Sequence, residues 1–356
     1  MQIIEFDKAA PDLIDRAFAL RVAVHRADTP ENPAPVERFF KTMFTHQFPG
    51  RENHWFAAVE AGDEASAEGD NEADAEGDRL VGLARVVFHT DENTDFAMFD
   101  VSVPPGHRRR GHGTALIEHV ERFCAERGRT TIATAVPIFW EGGPAREEIG
   151  ANALERRGYA RALTLVNRRS PVAPFPPEEE ARRFDEALAK AGDAYELRQW
   201  SGPVPDDLLD TMCRMETMIM SEVPMGELEL EPERVDAEKL RGREAVNLAE
   251  GRVNVHSVAI ERATGEVVAW TEIDTDFGDY PDAHQAITIV DPAHRGHRLG
   301  LLVKLANLRL LRERFGHIEW IWTDNADINE HMIAINELLG NTTVDGYAEY
   351  QRKIGA

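Results

Sequence analysis

The chain contains little cysteine and no long apolar run. Cys124 and Cys213 are its two cysteines, and each lies in a stretch with helical spacing. Two such thiols indicate small buried hydrophobic residues rather than a disulfide framework. No apolar run reaches the roughly 20 residues that a membrane-spanning helix requires, and the N-terminal residues lack the basic and apolar regions of a signal peptide. We therefore expect a soluble cytoplasmic protein without a membrane partner.

Positive charge is also scarce. Lysine and arginine together number 40 against 64 aspartate and glutamate residues, which gives a formal net charge of −24. Because phosphate groups dominate affinity for nucleic acid, this surface disfavours nucleic-acid binding. Any anionic ligand must therefore be held by a local basic pocket. The length of 356 residues and the 42% hydrophobic content are sufficient for two globular domains.

The same order of elements is predicted twice along the chain. Hydrophobic spacing and glycine-marked helix ends predict β-α-β-β-β-α-β-α-β in each half, which indicates a tandem duplication. The first hairpin tip, residues 62–78, is an acidic low-complexity loop that we interpret as solvated and without function. We predict an N-terminal domain over residues 1–170, a proline-rich linker with a short helix over 171–194, and a C-terminal domain over 195–356.

Two arginine- and glycine-rich stretches occupy equivalent places in the halves. Residues 107–116 read HRRRGHGTAL and residues 294–303 read HRGHRLGLLV, each between a predicted strand and a predicted helix. A helix entered through such a turn presents unpaired N–H groups and the positive end of its dipole. Glycine lets the backbone approach an anion closely, and arginine adds charge. The pattern predicts a phosphate-binding turn in each half.

These stretches resemble the acetyl-CoA-binding motif of the GNAT acetyltransferase superfamily, V-x-P-x-x-R-x-x-G-x-G/A. The first matches at Val103, Pro105, Arg108, Gly111 and Gly113, and the second at Val290, Pro292, Arg295 and Gly300, with Arg298 in place of the first glycine. The order of elements resembles tandem two-domain members, of which mycothiol synthase is one type. The resemblance implies an α+β fold of two GNAT-like modules, each a mixed, partly splayed sheet flanked by helices. It also distinguishes the chain from a Rossmann enzyme, whose glycine turn follows the first strand.

The resemblance further implies how acetyl-CoA binds. The cofactor would enter a gap between two splayed parallel strands, which end near Val103 and Val136 or near Val290 and Thr323. Strand backbone would pair with the pantetheine arm, and the turn would wrap the pyrophosphate. The residues implied are Val101, Val103, Arg108, Arg109, Arg110, Gly111, His112, Gly113 and Thr114 in the first half, and Val290, Arg295, Gly296, His297, Arg298, Leu299, Gly300 and Asn329 in the second.

Neither half carries the complete catalytic set that the resemblance implies. The family often has an Asn at the start of the next helix and a Tyr seven residues later as general acid; Glu147 and Leu154 fall nearest these places in the first half, and Asn329 and Asn336 in the second. The candidate bases are Glu272, Asp282 and His284, and the candidate acids are Tyr347 and Tyr350. Each also suits a structural role, as a packing tyrosine or a solvent-facing strand residue. Asp100 either enters the first cleft or faces solvent.

The sequence thus predicts an acyl-CoA-dependent N-acetyltransferase that acts by direct attack of the primary amine of a small molecule, with the second half preferred as the catalytic one. The alternative is a non-catalytic acyl-CoA-binding or regulatory protein. Acidic residues within 225–244 favour a cationic amine, or simply a solvated surface. The histidines of the turns are expected to contact phosphate rather than a metal, because no further ligand cluster accompanies them in the sequence. We expect a monomer or a homodimer.

Overall fold

The computed structural model describes residues 1–6, 10–61, 79–276, 278 and 280–355. The predicted acidic loop over residues 62–78 lies outside the described residues. The first half contains β1 (Gln2–Glu5), α1 (Pro11–Asp28), α2 (Glu37–Thr45), β2 (Arg51–Glu60), β3 (Arg79–His89), β4 (Phe96–Ser102), α3 (His112–Glu126), β5 (Thr131–Ile138), α4 (Ile149–Arg156) and β6 (Ala160–Pro171). Helix α5 (Pro177–Ala191) joins the halves. The second half contains β7 (Tyr195–Ser201), α6 (Leu209–Glu222), α7 (Ala237–Glu250), β8 (Arg252–Glu261), β9 (Val267–Asp276), β10 (Asp282–Val290), α8 (Leu299–Arg314), β11 (Trp320–Ala326), α9 (Glu330–Leu338) and β12 (Thr342–Lys353).

The predicted order of elements recurs in both halves, with one addition. A second helix, α2 or α7, follows the first helix of each half, where the sequence pattern is less regular. In α2, Phe40 and Phe44 pack on Trp55 of β2. In α7, the Asp236 side chain caps the helix by accepting from the Lys239 N–H at 2.9 Å. Both helices are therefore stabilised by contacts that hydrophobic spacing alone does not reveal.

The two halves share a single mixed sheet in which their last strands are exchanged. Its order is β1-β2-β3-β4-β5-β12-β6-β11-β10-β9-β8-β7. Strand β12 of the second half pairs with β5 of the first, and β6 of the first half pairs with β11 of the second. β12 and β6 also pair with each other at the centre. The two halves can be separated near residue 170 along the sequence. In the folded protein, however, the last strand of each half pairs with a strand of the other half.

Helices cover both faces of this sheet. One face carries α3, α4, α8 and α9, with α5 packed on α8 through Ala187 and Ala191. The other face carries α1, α2, α6 and α7 and is called the α2/α7 face below. At its centre the halves meet, where Arg38 of α2 donates to the Ala249 carbonyl at 3.1 Å and the Arg252 guanidinium lies over Phe39. Among the helices described, none has the length and apolar character needed to cross a bilayer.

Candidate functional site

Two pairs of neighbouring parallel strands separate before they end. β4 pairs with β5 only over Phe96–Met98, and β10 pairs with β11 only over Asp282–His284. Beyond these residues, β5 remains paired with β12 and β11 remains paired with β6. The edges of β5 and β11 that face β4 and β10 are therefore left unpaired. The partly splayed sheet that the resemblance implies is present in both halves. Each gap exposes backbone N–H and C=O groups to which an extended ligand can bind.

The turns that follow β4 and β10 have the same backbone course. In the first, Arg109 and Gly111 have φ of 59° and 88°; in the second, Gly296 and Arg298 have φ of 84° and 56°. Glycine and arginine have thus changed places at two equivalent left-handed positions. Arg298 adopts a conformation that costs a non-glycine residue about 1–2 kcal/mol. The loss of the motif glycine in the second half is therefore compatible with the same turn.

Each turn ends at a helix N-terminus without a capping side chain among the described residues. The N–H groups of the first turn of α3, from His112 to Thr114, and of α8, from Leu299 to Leu301, precede the first helical hydrogen bonds at Ala115 and Leu302. Such groups, together with the helix dipole, attract an anion. A phosphate at either turn would therefore meet three backbone donors.

The arginines of the turns have two different roles. Arg108 donates to the Val103 carbonyl at 2.9 Å and forms a bidentate pair with Asp28 at 2.7 Å. Arg295 donates a single hydrogen bond to Glu222 at the equivalent position. Asp28 and Glu222 are the last residues of α1 and α6, so each motif arginine fixes its turn to the preceding helix. The exposed basic side chains of the two turns are those of Arg109, Arg110, Arg295, His297 and Arg298.

His112 does not face the open turn. Its side chain is only 5% exposed and points inward, where Nδ1 lies 3.0 Å from Met1 Sδ and Nε2 lies 3.6 Å from Glu60 Oε1. The backbone N–H of His112, rather than its imidazole, is therefore the group placed for a phosphate. The sequence shows no further ligand close to the histidines of the turns, but the fold brings Glu60 beside His107 and His112.

A group of acidic residues lies on the α2/α7 face beside the second gap. Glu272 of β9 accepts from Asn254 Nδ2 at 2.6 Å, and the same nitrogen donates to Asp274 at 2.7 Å. Glu216 of α6 is held by Arg243 of α7 at 3.1 Å. Burial raises the pKa of Glu272 well above its ordinary value, and repulsion from Asp274 and Glu216 raises it further. Glu272 is therefore poised to hold and release a proton.

The neighbour of Glu272 on β8 is a neutral imidazole. His256 Nδ1 accepts a hydrogen bond from Trp270 Nε1 at 3.2 Å and lies 3.4 Å from Glu272 Oε2. Burial lowers the pKa of His256 to about 3.

The equivalent position in the first half carries the opposite charge. Arg85 faces Trp55 in the register of β3 and β2, just as Glu272 faces His256 in the register of β9 and β8. Arg85 donates to the Asn53 side chain, and Asp100 on the neighbouring strand is paired with Arg21 at 3.1 Å. A guanidinium cannot take a proton from an amine. The equivalent positions of the two halves therefore differ in whether their side chain can accept a proton.

His284 lies at the closed end of the second gap. Its Nε2 is 3.2 Å from Asp324 Oδ1 on β11. Burial lowers the pKa of His284, but the hydrogen bond and charge of Asp324 outweigh that effect, so its pKa lies above the ordinary value. Asp282, the other candidate beside it, accepts from Trp322 Nε1 at 2.7 Å and serves the packing of β10 on β11.

The two candidate tyrosines lie closer to the first gap than to the second, which corrects their assignment to the second half. Tyr350 is buried in the first core, opposite Thr134 of β5, and donates to Glu155 at 2.8 Å; burial raises its pKa to about 12. Tyr347 faces Pro137 of β5 and lies 3.3 Å from Asn32 Nδ2. The cause is the exchange of β12, which the sequence does not show.

The two candidate asparagines lie on or beside α9, at the second gap. The Asn329 side chain accepts from the Met332 N–H at 3.2 Å and so caps α9. Asn336 is 1% exposed and donates to Asn325 of β11, while its Oδ1 has no hydrogen-bond partner among the described residues. The amide of Asn336 therefore contacts the splayed part of β11.

A buried ion pair links the first turn to the exchanged strand and was not anticipated from the sequence. Arg146 pairs with Asp345 of β12, and their side chains are 5% and 1% exposed. Asp345 also accepts from Asn32 and Asn167, and Arg146 donates to the Asp28 carbonyl. Because Asp28 holds Arg108, this network connects the turn before α3 with β12. No local motif marks these residues, which lie far apart in the chain.

Lys304 of α8 is buried beneath the second gap and gives a test of the environment there. Its Nζ donates to Gln285 at 3.0 Å, at the bulge of β10, and burial lowers its pKa to about 7. An unfolded lysine keeps its proton to about pH 10.5, so the free energy of unfolding should rise with pH between these values. In Lys304→Met this rise should disappear, and the variant should be more stable near pH 6 by about 1–3 kcal/mol.

Urea unfolding between pH 6 and pH 9 measures this effect. Lys190→Met, on the exposed end of α5, is the matched control and should keep the wild-type pH dependence. A Lys304→Met variant that is less stable than wild type near pH 6 would contradict the assignment.

Comparison with known proteins identifies matches to both the sequence and the fold. The model of the acetyltransferase (GNAT) family matches residues 23–137. The mycothiol acetyltransferase of Saccharomonospora viridis is 30% identical over 261 residues, covering 70% of this chain and 72% of that protein. A tandem GNAT protein from the clavulanic acid biosynthesis pathway matches the fold with a TM-score of 0.79 and 22% identity, covering 100% and 99% of the two chains. A GCN5-related N-acetyltransferase from Sphaerobacter thermophilus follows with a TM-score of 0.61, 15% identity and coverages of 99% and 96%.

Proposed function

Because the chain belongs to the acetyltransferase (GNAT) family, we propose that it transfers an acetyl group from acetyl-CoA to the primary amine of a small molecule. The amine attacks the thioester carbonyl directly, without an acyl-enzyme intermediate; the C–N bond forms, the C–S bond breaks and coenzyme A leaves as its thiolate. The observation that carries this proposal is the pairing of each splayed gap with an uncapped helix N-terminus. This is the arrangement that an extended thioester with a diphosphate requires, because strand backbone and helix amides then bind different parts of one ligand.

The cofactor is assigned to both gaps by the same argument. Its pantetheine arm pairs with Val101 and Val103 or with Val290, and its diphosphate meets the amides that begin α3 or α8. The exposed arginines Arg109, Arg110 and Arg298 add charge at the mouths of the turns. Arg108 is a positioning residue, since Val103 and Asp28 occupy its guanidinium group. Arg295 bonds Glu222 through one nitrogen only and is 56% exposed, so it can also contribute charge at the second turn.

The second half is proposed as the catalytic one. Glu272 supplies a carboxylate beside that gap, whereas the equivalent residue of the first half is Arg85. An alkylamine arrives as an ammonium ion and must lose a proton before it attacks. Glu272, with its raised pKa, accepts that proton more readily than an ordinary glutamate does. Asn336 cannot act as the acid that protonates the leaving group, because an amide does not release a proton.

The acceptor is proposed to be cationic. Burial raises the pKa values of Glu216, Glu250 and Glu272, and repulsion from Asp274 raises each of them further. Burial and repulsion from Asp324 likewise raise the pKa of Glu349. A positively charged ligand on the α2/α7 face would relieve this repulsion and favour the ionised carboxylates. The electrostatics therefore favour an amine with a second positive charge over a neutral molecule.

The release of free thiol from acetyl-CoA tests this function. The acceptor panel includes diamines, amino sugars, amino-acid amides and neutral aryl amines, and the acetylated products are identified by mass. We expect turnover with at least one cationic amine and little with the neutral ones. Acetyl-CoA that binds without turnover across the whole panel would instead support a non-catalytic acyl-CoA-binding protein.

A further inference from the structure

We propose that Glu60, His107 and His112 form a divalent metal site beneath the phosphate turn of the first half, with zinc as the metal that their donors favour. One ligand atom from each residue lies within 4.8 Å of the other two. Glu60 ends β2, His107 lies in the turn, and His112 begins α3. Two imidazoles and one carboxylate are a common donor set for zinc, whereas magnesium and calcium prefer oxygen donors.

The two imidazoles have nitrogen atoms that are buried but not satisfied. Nδ1 of His107 and Nε2 of His112 have no hydrogen-bond partner among the described residues. Glu60 Oε1 lies 3.6 Å from His112 Nε2, which is too far for a hydrogen bond. A buried polar atom without a partner costs about 1–3 kcal/mol. A metal bound at this point would satisfy both nitrogens at once.

The opposite nitrogen of His112 is oriented in a way that suits a ligand. Nδ1 lies 3.0 Å from Met1 Sδ, a weak acceptor, so Nδ1 carries the proton and Nε2 keeps its lone pair. Ligating histidines usually have their second nitrogen held in this manner. The lone pair of Nε2 is thereby directed toward Glu60 rather than toward solvent.

The duplicated half shows how the same space is filled without a metal. His294 occupies the position of His107, but its Nδ1 is 3.1 Å from the Tyr195 hydroxyl and is therefore satisfied. Leu299 begins α8 where His112 begins α3, so the second imidazole is missing. Glu261 ends β8 as Glu60 ends β2. Within the part of the chain that the structure describes, the unsatisfied histidine nitrogens therefore occur in the first half only, although both halves share the same fold.

Three protein ligands leave a further coordination position for water or an anion. Arg79 donates to the second oxygen of Glu60 at 3.4 Å, which orients the carboxylate and leaves Oε1 toward His112. The site is independent of acetyl transfer. It would fix the turn that precedes α3 whether or not that half is catalytic.

Metal titration of the full chain tests the proposal. Chelator-treated protein is titrated with zinc by calorimetry and with cobalt by visible absorption, which reports tetrahedral coordination. We expect one ion per chain, and at least tenfold weaker binding in His107→Ala, His112→Ala and Glu60→Gln. His294→Ala removes the equivalent histidine of the second half and should bind as wild type does.

Three results would each overturn the proposal. The first is a wild-type chain that binds neither zinc nor cobalt above the level of the triple variant Glu60→Gln, His107→Ala, His112→Ala. The second is wild-type affinity in both His107→Ala and Glu60→Gln. These two variants change partly exposed residues, so they decide the matter even if the buried His112→Ala fails to fold. The third is an equal loss of affinity in His294→Ala.

Discussion

Glu272→Gln is expected to lower turnover by about 10²–10⁴-fold while making the protein more stable at neutral pH. The amide keeps the shape of the side chain and still accepts from Asn254, but it cannot take a proton from the amine, and general bases contribute rate factors of this order. In the wild type, turnover should rise with pH as Glu272 ionises, at a pH well above that of an ordinary glutamate, because burial and Asp274 raise its pKa.

The raised pKa of Glu272 also predicts the change in stability, because it lowers the free energy of unfolding of the wild type at neutral pH. Between the ordinary pKa of about 4.5 and the raised folded value, the unfolded chain loses its proton while the folded chain keeps it. The free energy of unfolding therefore falls as pH rises through this range. Glu272→Gln removes that fall, so the variant should be more stable than wild type at pH 8 in urea unfolding.

Arg85→Gln is the matched variant, because it changes the equivalent residue of the first half. It should keep most of the wild-type turnover. Full turnover in Glu272→Gln together with a large loss in Arg85→Gln would move the chemistry to the first half. Lower stability of Glu272→Gln at pH 8 would contradict the raised pKa.

Gly300→Trp is expected to weaken coenzyme A binding in the second half by about 100-fold or more and to abolish turnover. A Cβ at Gly300 would lie 3.4 Å from Val290, so there is room for a methyl group but not for an indole between the turn and β10. The indole would block access to the amides that begin α8, and each hydrogen bond to a charged group is worth about 1.5–3 kcal/mol. Gly113→Trp should weaken binding in the first half alone and leave most of the turnover.

Calorimetric titration of coenzyme A into each variant separates the two sites. Gly300→Ala and Gly113→Ala are the controls, since a Cβ at Gly113 would meet Val103 at an ordinary 3.7 Å. Thermal unfolding shows whether each tryptophan variant is folded. Unchanged coenzyme A affinity in both tryptophan variants would refute the placement of the cofactor.

The sequence predicts this fold well wherever the signal is local. Hydrophobic spacing and the two glycine-arginine turns give the order of elements, since each depends on residues close together in the chain. The backbone of the second turn is retained even though Arg298 replaces a glycine. The exchange of β6 and β12 could not be predicted, because both strands carry similar patterns and their pairing depends on contacts across the whole chain.

The site residues show the same limit. Glu272 is indicated by its residue type, but the groups that raise its pKa come from α6 and β9 and are brought together only by the fold. Tyr347 and Tyr350 follow the second motif in the sequence, yet the exchange places them beside β5. The roles of Asp28 and Asp345 could not be predicted, because their partners Arg108 and Arg146 are distant from them in the sequence. These assignments depend on strand register, which a single sequence does not specify.

The position of β12 between β5 and β6 also bears on how the molecule is made. During synthesis, β5 and β6 leave the ribosome long before β12, so their edges stay unpaired until β12 has been made. Pairing between such distant segments is slow, because the entropy of closing a long loop is lost before the stabilising contacts form. Neither half is therefore expected to mature alone, and the two halves should unfold as a single cooperative unit.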